Sequence, residues 1–116
     1  LEQPRLSVFK GEGGEIERNP DQKCLVKSVI NGQLSEEEWP ALFTGPRHLK
    51  DEEMNPARML NVWGGEDSDE YAVASITGTA AVALKLLNRA TTMEDAQALA
   101  EKMWSERKKS KYQQVA

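Results

Sequence analysis

Carboxylates near the start of the chain could hold a divalent cation. Glu12, Glu15 and Glu17 lie in and just after the glycine-rich stretch 11–14. Mg²⁺ takes one or two carboxylates together with waters and substrate phosphates, and residues two apart in an extended segment share a face. The candidate metal ligands are therefore Glu15 and Glu17. The alternative is that these acids are solvated surface residues.

The glycine-rich stretch 11–14 could itself approach a phosphate, because glycines after a strand bring backbone amides close to an anion. It leads to the turn residues 19–21, however, whereas phosphate-binding loops usually open a helix. A tight connection is the alternative to a loop close to substrate or metal. Lys10 and Arg18, which flank the stretch, are the candidates to neutralise a phosphate.

A basic cluster follows the last predicted helix. Positive charge there complements the helix dipole, which is a sufficient structural reason for it. It could equally contact nucleic-acid phosphates, with Trp104 or Tyr112 available for stacking. The candidate phosphate or nucleic-acid contacts at this end are Lys102, Arg107, Lys108, Lys109 and Lys111. A net charge of −4 argues against a protein that coats nucleic acid with its whole surface, but it leaves room for such a local patch.

No residue is assigned a catalytic role. The single cysteine, Cys24, alternates with apolar residues in a strand-like run, which predicts a small buried hydrophobic residue. A nucleophile would need a nearby base, and the single histidine, His48, lies in a separate Gly-Pro-Arg loop. One cysteine can form no internal disulfide, which fits a reducing compartment.

The composition is typical of one globular domain, with 39% hydrophobic and 29% charged residues. No apolar run approaches the ~18 residues that would cross a bilayer, and the first residues lack a signal-peptide pattern. These features predict a cytoplasmic protein with no membrane partner. The chain begins with Leu1 and enters a strand-like run almost at once, which predicts a piece of a longer protein.

The first predicted elements are strands. One strand is predicted over residues 5–10, and a second, rich in β-branched residues, ends at Ile30. Asn31-Gly32 then predicts a type I′ hairpin turn, followed by a short return strand around residues 33–35. Pro56, capped by Asn55, predicts a helix that ends at the glycines 64–65. The inward residues of that helix are predicted to be Met59, Leu60 and Trp63.

A helix from about Ser68 to Asn88 is predicted to be buried. The acidic residues 67–70 cap it favourably, and there is almost no charge before Lys85. A helix with small or apolar residues on every side needs cover from several directions, which a short chain can hardly provide. The rest of a larger protein is therefore predicted to pack on it. Its main apolar stripe is predicted to be Val73, Ile76, Ala80, Leu84 and Leu87.

A last helix opens at Thr91 or Thr92, where Thr91 and Glu94 fit a capping box. Its inward residues are predicted to be Met93, Ala96, Leu99, Ala100, Met103 and Trp104, and its outward residues Gln97, Glu101 and Lys102. The predicted fold class is thus α/β. We expect a fragment of a sheet-and-helix domain with a strand, a β-ribbon and three helices, the middle one buried. The wider domain would be a parallel sheet flanked by helices.

Taken in order, these features resemble the C-terminal part of the glycosyltransferase family 3 fold, the family of anthranilate phosphoribosyltransferase. The resemblance rests on the strand and loop 8–17, the β-ribbon, the Gly64-Gly65 stop, the Ala-rich helix and the closing amphipathic helix. It covers nearly the whole chain. The stretches 13–21 (GGEIERNPD) and 37–42 (EEWPAL) resemble a divergent anthranilate phosphoribosyltransferase-like branch, at least one member of which is thought to bind nucleic acid.

The resemblance implies that residues 1–116 are the C-terminal portion of the α/β domain, without its N-terminal helical domain and first sheet strands. In the enzymes those parts bind phosphoribosyl pyrophosphate and most of the acceptor. The resemblance therefore implies a fragment that is inactive and needs no cofactor itself. Its partner would be the N-terminal part of the same protein, and the intact protein would be a homodimeric phosphoribosyl transferase helped by Mg²⁺.

The family's magnesium-binding Asp-Glu pair is altered in this sequence. Glu15 corresponds to the Asp, but Ile16 holds the neighbouring position and Glu17 is one step out of register. That departure favours the alternative function, which is binding of single-stranded nucleic acid on the same fold without transferase activity. The net acidity favours catalysis instead, so both functions stay open at this point.

Overall fold

The computed structural model describes residues 4–11, 16–43 and 56–109. Three strands are followed by three helices, which confirms the predicted α/β class and element order. The strands are β1 (Arg5–Val8), β2 (Cys24–Ile30) and β3 (Gln33–Trp39). They form one sheet in the order β1-β2-β3, and both pairings are antiparallel. This part of the chain therefore contains none of the parallel pairing expected of the wider domain.

The β2–β3 hairpin has the predicted turn. Asn31 and Gly32 have φ values of 50° and 83°, and a type I′ turn requires positive φ at both central residues. Ile30 pairs with Gln33 directly across the turn. The return strand is longer than predicted and continues to Trp39. The glutamates 36–38 hide it in the sequence, because glutamate is depleted in strands.

The three helices are α1 (Pro56–Gly64), α2 (Glu70–Leu86) and α3 (Met93–Ser105). Gly65, with φ 84°, ends α1 as predicted. The Asp69 carboxylate caps α2 by accepting the Ala72 amide at 2.9 Å. The Thr92 hydroxyl caps α3 by accepting the Asp95 amide at 3.0 Å. Of the two predicted starts for the last helix, Thr92 is therefore the N-cap.

A small core lies between the sheet, α2 and α3. Its buried members are Cys24, Val26, Trp39, Ala81, Val82, Ala96 and Ala100. The alanines on α2 and α3 let the two helices approach closely. Two polar contacts join the sheet to the end of α2: Arg5 Nη1 donates to the Leu86 carbonyl at 2.9 Å, and Lys85 Nζ meets a Glu37 carboxylate oxygen at 2.6 Å.

The middle helix packs on the sheet and on α3, and its predicted stripe is only partly buried: Ala80 and Leu84 pack against the core. Ile76 is 47% exposed and Leu87 60% exposed. The largest apolar residues marked the stripe in the sequence, whereas only small side chains let the ribbon and α3 come close. The buried residues of α2 are Ser75, Thr77, Gly78, Ala81 and Val82.

The other two helices also differ in detail from the predicted inward residues. Met59 and Met103 are exposed, and Val62 is the buried residue of α1. Gln97, predicted to face outward, turns inward and donates to the Thr77 hydroxyl on α2 at 3.0 Å. Among the described residues, no helix is both long and apolar enough to cross a membrane.

Candidate functional site

One of the two predicted metal ligands lies in the described part of the chain. Glu17 is exposed beside the equally exposed Ile16, and Glu15 lies outside the described residues. Within residues 4–11, 16–43 and 56–109, no group of three or more His, Cys, Asp or Glu side chains could hold a metal ion. Metal binding by Glu15 and Glu17 therefore stays a prediction about the intact protein.

Lys10 and Arg18, the predicted phosphate contacts beside the glycine-rich stretch, have opposite environments. Lys10 is exposed, as a surface phosphate contact requires. Arg18 is 1% exposed. Its Nη2 donates to the Pro40 carbonyl just after β3, and its backbone amide donates to the Thr79 hydroxyl on α2 at 2.9 Å. Arg18 therefore ties the β-ribbon to α2 and does not project into solvent.

The absence of a side chain at Gly78 makes room for this arrangement. A Cβ on Gly78 would lie 3.1 Å from Leu42 Cδ1 and 3.4 Å from Arg18 Cδ. Leu42 is held in place because its amide donates to the Pro20 carbonyl at 2.8 Å. Arg18 and Pro20 are among the most deeply buried side chains. We call the set Arg18, Pro20, Leu42 and Gly78 the Arg18 junction.

The charge of Arg18 has no counter-ion in the described part of the chain. Its Nε is buried without a hydrogen-bond partner, and so is the indole Nε1 of the neighbouring Trp39. Arg18 Cζ lies 5.6 Å from the centroid of the Trp39 ring, a cation–π contact worth ~0.5–2 kcal/mol. Burial of an unpaired ion costs several kcal/mol, so the contact offsets only part of that cost.

Burial also changes the ionisation of Arg18 and Cys24. It lowers the pKa of Arg18 from its usual value, although Cys24 acts in the opposite direction. It raises the pKa of the Cys24 thiol, with Arg18 opposing. The thiol is therefore protonated near neutral pH, and the nucleophile is the thiolate. Cys24 is a small buried residue of β2, as predicted.

Arg107, a predicted phosphate contact, is fixed between the C-terminal ends of α1 and α3. Its Nε donates to the Trp63 carbonyl at 2.7 Å, its Nη1 to the Trp104 carbonyl at 2.7 Å and its Nη2 to the Val62 carbonyl at 3.2 Å. The last carbonyls of a helix lack intrahelical donors, so Arg107 caps both helices at once.

Two tryptophan rings enclose the same guanidinium. Arg107 Cζ lies 3.8 Å from the centroid of the Trp104 ring and 5.8 Å from that of Trp63. The two rings meet edge to face with centroids 5.6 Å apart, and Trp63 Nε1 donates to the Lys108 carbonyl at 2.9 Å. We call Arg107, Trp63 and Trp104 the Arg107 clamp. Both rings are half-buried and pack against the guanidinium, and stacking of a base on Trp104 stays a prediction.

The lysines of the basic cluster remain in solvent. Lys102, Lys108 and Lys109 are exposed, and none of them pairs with a carboxylate in the described part of the chain. The side chain of Lys109 lies close to Gly65, the residue after α1. A Cβ on Gly65 would be 3.4 Å from Lys109 Nζ. Lys111 lies outside the described residues. Within the described residues, the predicted cluster thus divides into a half-buried cap, Arg107, and a set of exposed lysines without a carboxylate partner.

A groove of about 540 Å³ between α1, α2 and α3 has no counterpart in the sequence predictions. Its apolar wall includes Val62, Val73 and Trp104. Gln97 reaches it through the core and leaves its Oε1 buried without a partner. The groove depends on how α1 packs across the other helices, which no local pattern indicates. Its acidic rim, which disfavours phosphate, consists of Asp67, Asp69, Glu70 and Glu101.

Asp69 joins α1 to the start of α2 at that rim. Arg58 Nη2 lies 2.7 Å from its Oδ2, in addition to the capping bond from Ala72. Burial alone would raise the pKa of Asp69, but the hydrogen bonds from Ala72, Arg58 and Tyr71 and the charge of Arg58 outweigh it. The pKa of Asp69 is therefore below its usual value.

No protein-family model matches the chain, and no curated protein is significantly similar to it.

Proposed function

We propose that this chain is the C-terminal part of an anthranilate phosphoribosyltransferase-like protein with the glycosyltransferase family 3 fold, and that it is inactive alone. The observation that carries the proposal is the Arg18 junction. Arg18, Asn19 and Pro20 lie in the stretch whose sequence most resembles the family, and all three are buried. Because this stretch is buried between the ribbon and α2, packing limits which residue types fit there. A motif specific to one family is expected to be limited in this way.

The outer face of the sheet supports a larger parent protein. Leu6, Val29 and Leu34 form one row across the three strands, and Leu34 is 85% exposed. Val8 and Leu25 on the same face are also exposed. The ion pair of Lys27 with Glu36 borders this row on the same face, and exposed apolar residues rimmed by polar ones are typical of a contact surface. We propose the missing N-terminal part of the same protein as that partner, in a cytoplasmic homodimer.

The proposal assigns catalysis to the intact protein. There, Mg²⁺ would be held by Glu15 and Glu17, and it would neutralise the pyrophosphate of a phosphoribosyl donor. Lys10 is the exposed cation of this chain nearest to them in sequence. The N-terminal part would supply the remaining contacts, so we expect no binding of phosphoribosyl pyrophosphate by residues 1–116 alone.

The test is a calorimetric titration of the intact protein with phosphoribosyl pyrophosphate and Mg²⁺. Binding should be metal-dependent, and Glu15→Gln with Glu17→Gln should abolish it. The matched control is Glu36→Gln with Glu38→Gln, which removes two carboxylates that face solvent on β3 and should leave binding unchanged. If the wild-type protein binds no phosphoribosyl pyrophosphate, the transferase proposal fails.

A second function, contact with single-stranded nucleic acid, is favoured by the free lysines after α3. A lysine already paired with a carboxylate gains less binding energy from a phosphate, because the new ion pair replaces an existing one. Lys102 and Lys108 have no carboxylate partner in the described chain. We propose that these two residues and Lys109 contact the backbone, with Lys111 beyond them. Arg107 takes no part, because its guanidinium is bound to helix carbonyls.

The salt dependence of binding to a labelled oligonucleotide tests this second function. Each lost phosphate contact should reduce the slope of log K against log salt by ~0.7 for a single strand. Lys102→Gln with Lys108→Gln should therefore reduce it by up to ~1.4. Lys23→Gln with Lys27→Gln removes the same charge from lysines paired with Glu38 and Glu36. Equal slopes for the two double variants would contradict a specific role for the helix end.

A further inference from the structure

Two buried donors at the boundary between the sheet and α2 lack acceptors among the described residues. Neither the Nε of Arg18 nor the indole Nε1 of Trp39 has a hydrogen-bond partner there, and the two side chains are only 1% and 2% exposed. Native proteins pair nearly all such groups with protein atoms, water or a bound ion. The two neighbouring donors therefore point to an acceptor that the described residues do not supply.

The charge of Arg18 determines which acceptor fits. Water molecules could accept from these N–H groups, but they would leave the guanidinium without a counter-ion among the described residues. The present partners of that guanidinium are the neutral carbonyl of Pro40 and the face of the Trp39 ring. Oxygen atoms of a carboxylate or phosphate match the planar fork of an arginine and also neutralise it.

We propose that Arg18, with Trp39 beside it, forms a buried binding site for a small oxyanion, either a phosphate group or a carboxylate. The anion would accept from Arg18 Nε and Trp39 Nε1 and remain shielded from solvent. Because both side chains are enclosed, binding requires local opening of the Arg18 junction. The proposal depends on these contacts and not on the family assignment, so it can fail while that assignment holds, and the reverse.

Anion-dependent stability provides the first test. A ligand that binds only the folded state raises the folded-to-unfolded ratio by the factor 1 + [L]/Kd, which is ~100-fold at 100 times Kd. Urea unfolding would be measured in sodium phosphate and in sodium succinate, each against sodium chloride of equal ionic strength. Stabilisation by phosphate alone would assign a phosphoryl ligand, and stabilisation by succinate alone would assign a carboxylate.

Three variants locate the effect. Arg18→Met should abolish the anion-dependent stabilisation. Arg5→Met is the matched control, because Arg5 is a half-buried arginine of the same sheet that donates to a helix carbonyl. It should retain the effect. Trp39→Phe keeps an aromatic ring but removes the Nε1–H, so it should weaken binding of the anion ~10-fold. It provides the test if Arg18→Met does not fold.

The indole signals in an ¹⁵N–¹H spectrum give a residue-level readout of the same site. Adding the anion should shift the Trp39 indole signal, whereas that of Trp63, already bonded to the Lys108 carbonyl, should stay in place. The proposal is overturned if neither anion stabilises the wild-type chain beyond chloride. It is equally overturned if Arg18→Met, or Trp39→Phe in its place, responds as fully as the wild-type chain.

Discussion

Replacing Arg107 with alanine would remove the cap that α1 and α3 share. Three carbonyls, those of Val62, Trp63 and Trp104, would lose their side-chain donor, although backbone amides still donate to Val62 and Trp104. The ring of Trp104 would also lose the guanidinium that lies 3.8 Å from its centroid. If Arg107 served mainly to contact a phosphate, the same change would reduce binding and leave the fold intact. Stability therefore distinguishes the two roles.

The loss of stability expected for Arg107→Ala follows from these contacts. A hydrogen bond from a charged donor contributes ~1.5–3 kcal/mol, but Arg107 is only half-buried and water can replace it at open helix ends. We therefore take ~1 kcal/mol for each of the three bonds. The cation–π contact adds ~0.5–1 kcal/mol at a partly exposed site. Contacts of one side chain are not additive. We therefore expect Arg107→Ala to lower the free energy of unfolding by ~3 kcal/mol, which corresponds to ~10 °C in Tm for a domain of this size.

Urea unfolding followed by tryptophan fluorescence is the direct assay, because two of the three tryptophans lie in the Arg107 clamp. Arg107→Lys keeps the charge, but a lysine cannot reach all three carbonyls. This variant should lower the free energy of unfolding by ~2 kcal/mol. Arg89→Ala is the control: Arg89 is exposed, and its removal should cost less than ~0.5 kcal/mol. A loss below ~1 kcal/mol for Arg107→Ala, together with weaker binding to nucleic acid, would refute the structural role.

Three further predictions concern other parts of the fold. Gly32→Ala should lower the free energy of unfolding, measured with urea, by ~1–2 kcal/mol. A Cβ there would meet nothing within 4 Å, so only the positive φ is penalised. An unchanged unfolding midpoint would contradict the type I′ turn. Asp69→Asn keeps a capping oxygen but loses the charge paired with Arg58, so it should cost ~0.5–1 kcal/mol at pH 7. Because the pKa of Asp69 is lowered in the folded state, this difference should decrease as the pH falls from ~3.9 through that pKa. A difference that stays constant while NMR shows the Asp69 carboxylate becoming protonated would contradict the ion pair. Lys85→Met should destabilise the chain by less than ~1 kcal/mol in urea, since its bond to Glu37 is partly exposed, and a larger loss would mean that this contact orders the end of α2.

Local patterns predicted those features that depend on neighbours in the sequence. Asn31-Gly32 has the turn chemistry of a hairpin, and Gly65 has the conformational freedom that ends α1. The acidic start of α2 provides its cap at Asp69. Each feature requires only the properties of a few adjacent residues, so a single sequence contains the information needed. For the same reason, the order of strands and helices could be predicted without any knowledge of packing.

The packed face of α2 could not be predicted in the same way. Periodicity identifies the side of a helix with the largest apolar residues, which here includes Ile76. The structure instead buries the side with Gly78 and Ala81, because the ribbon and α3 approach it closely and only small side chains fit between them. Which side is buried depends on the shape of the neighbouring elements. For the same physical reason, Val62 is buried on α1 where Met59 is predicted to be, and Gln97 on α3 turns inward.

The candidate phosphate contacts show how burial separates residues that look equivalent in the sequence. Arg18, Arg107 and Lys108 are all predicted phosphate contacts, yet they have three different environments. Lys108 is solvated and free to meet a phosphate. Arg107 satisfies helix carbonyls whose partial negative charge suits a cation. Arg18 combines full burial with an Nε that has no partner among the described residues. An anion bound to Arg18 would therefore stabilise the folded chain most. The low polarity that penalises the unpaired charge also strengthens the pairing of that charge with an anion.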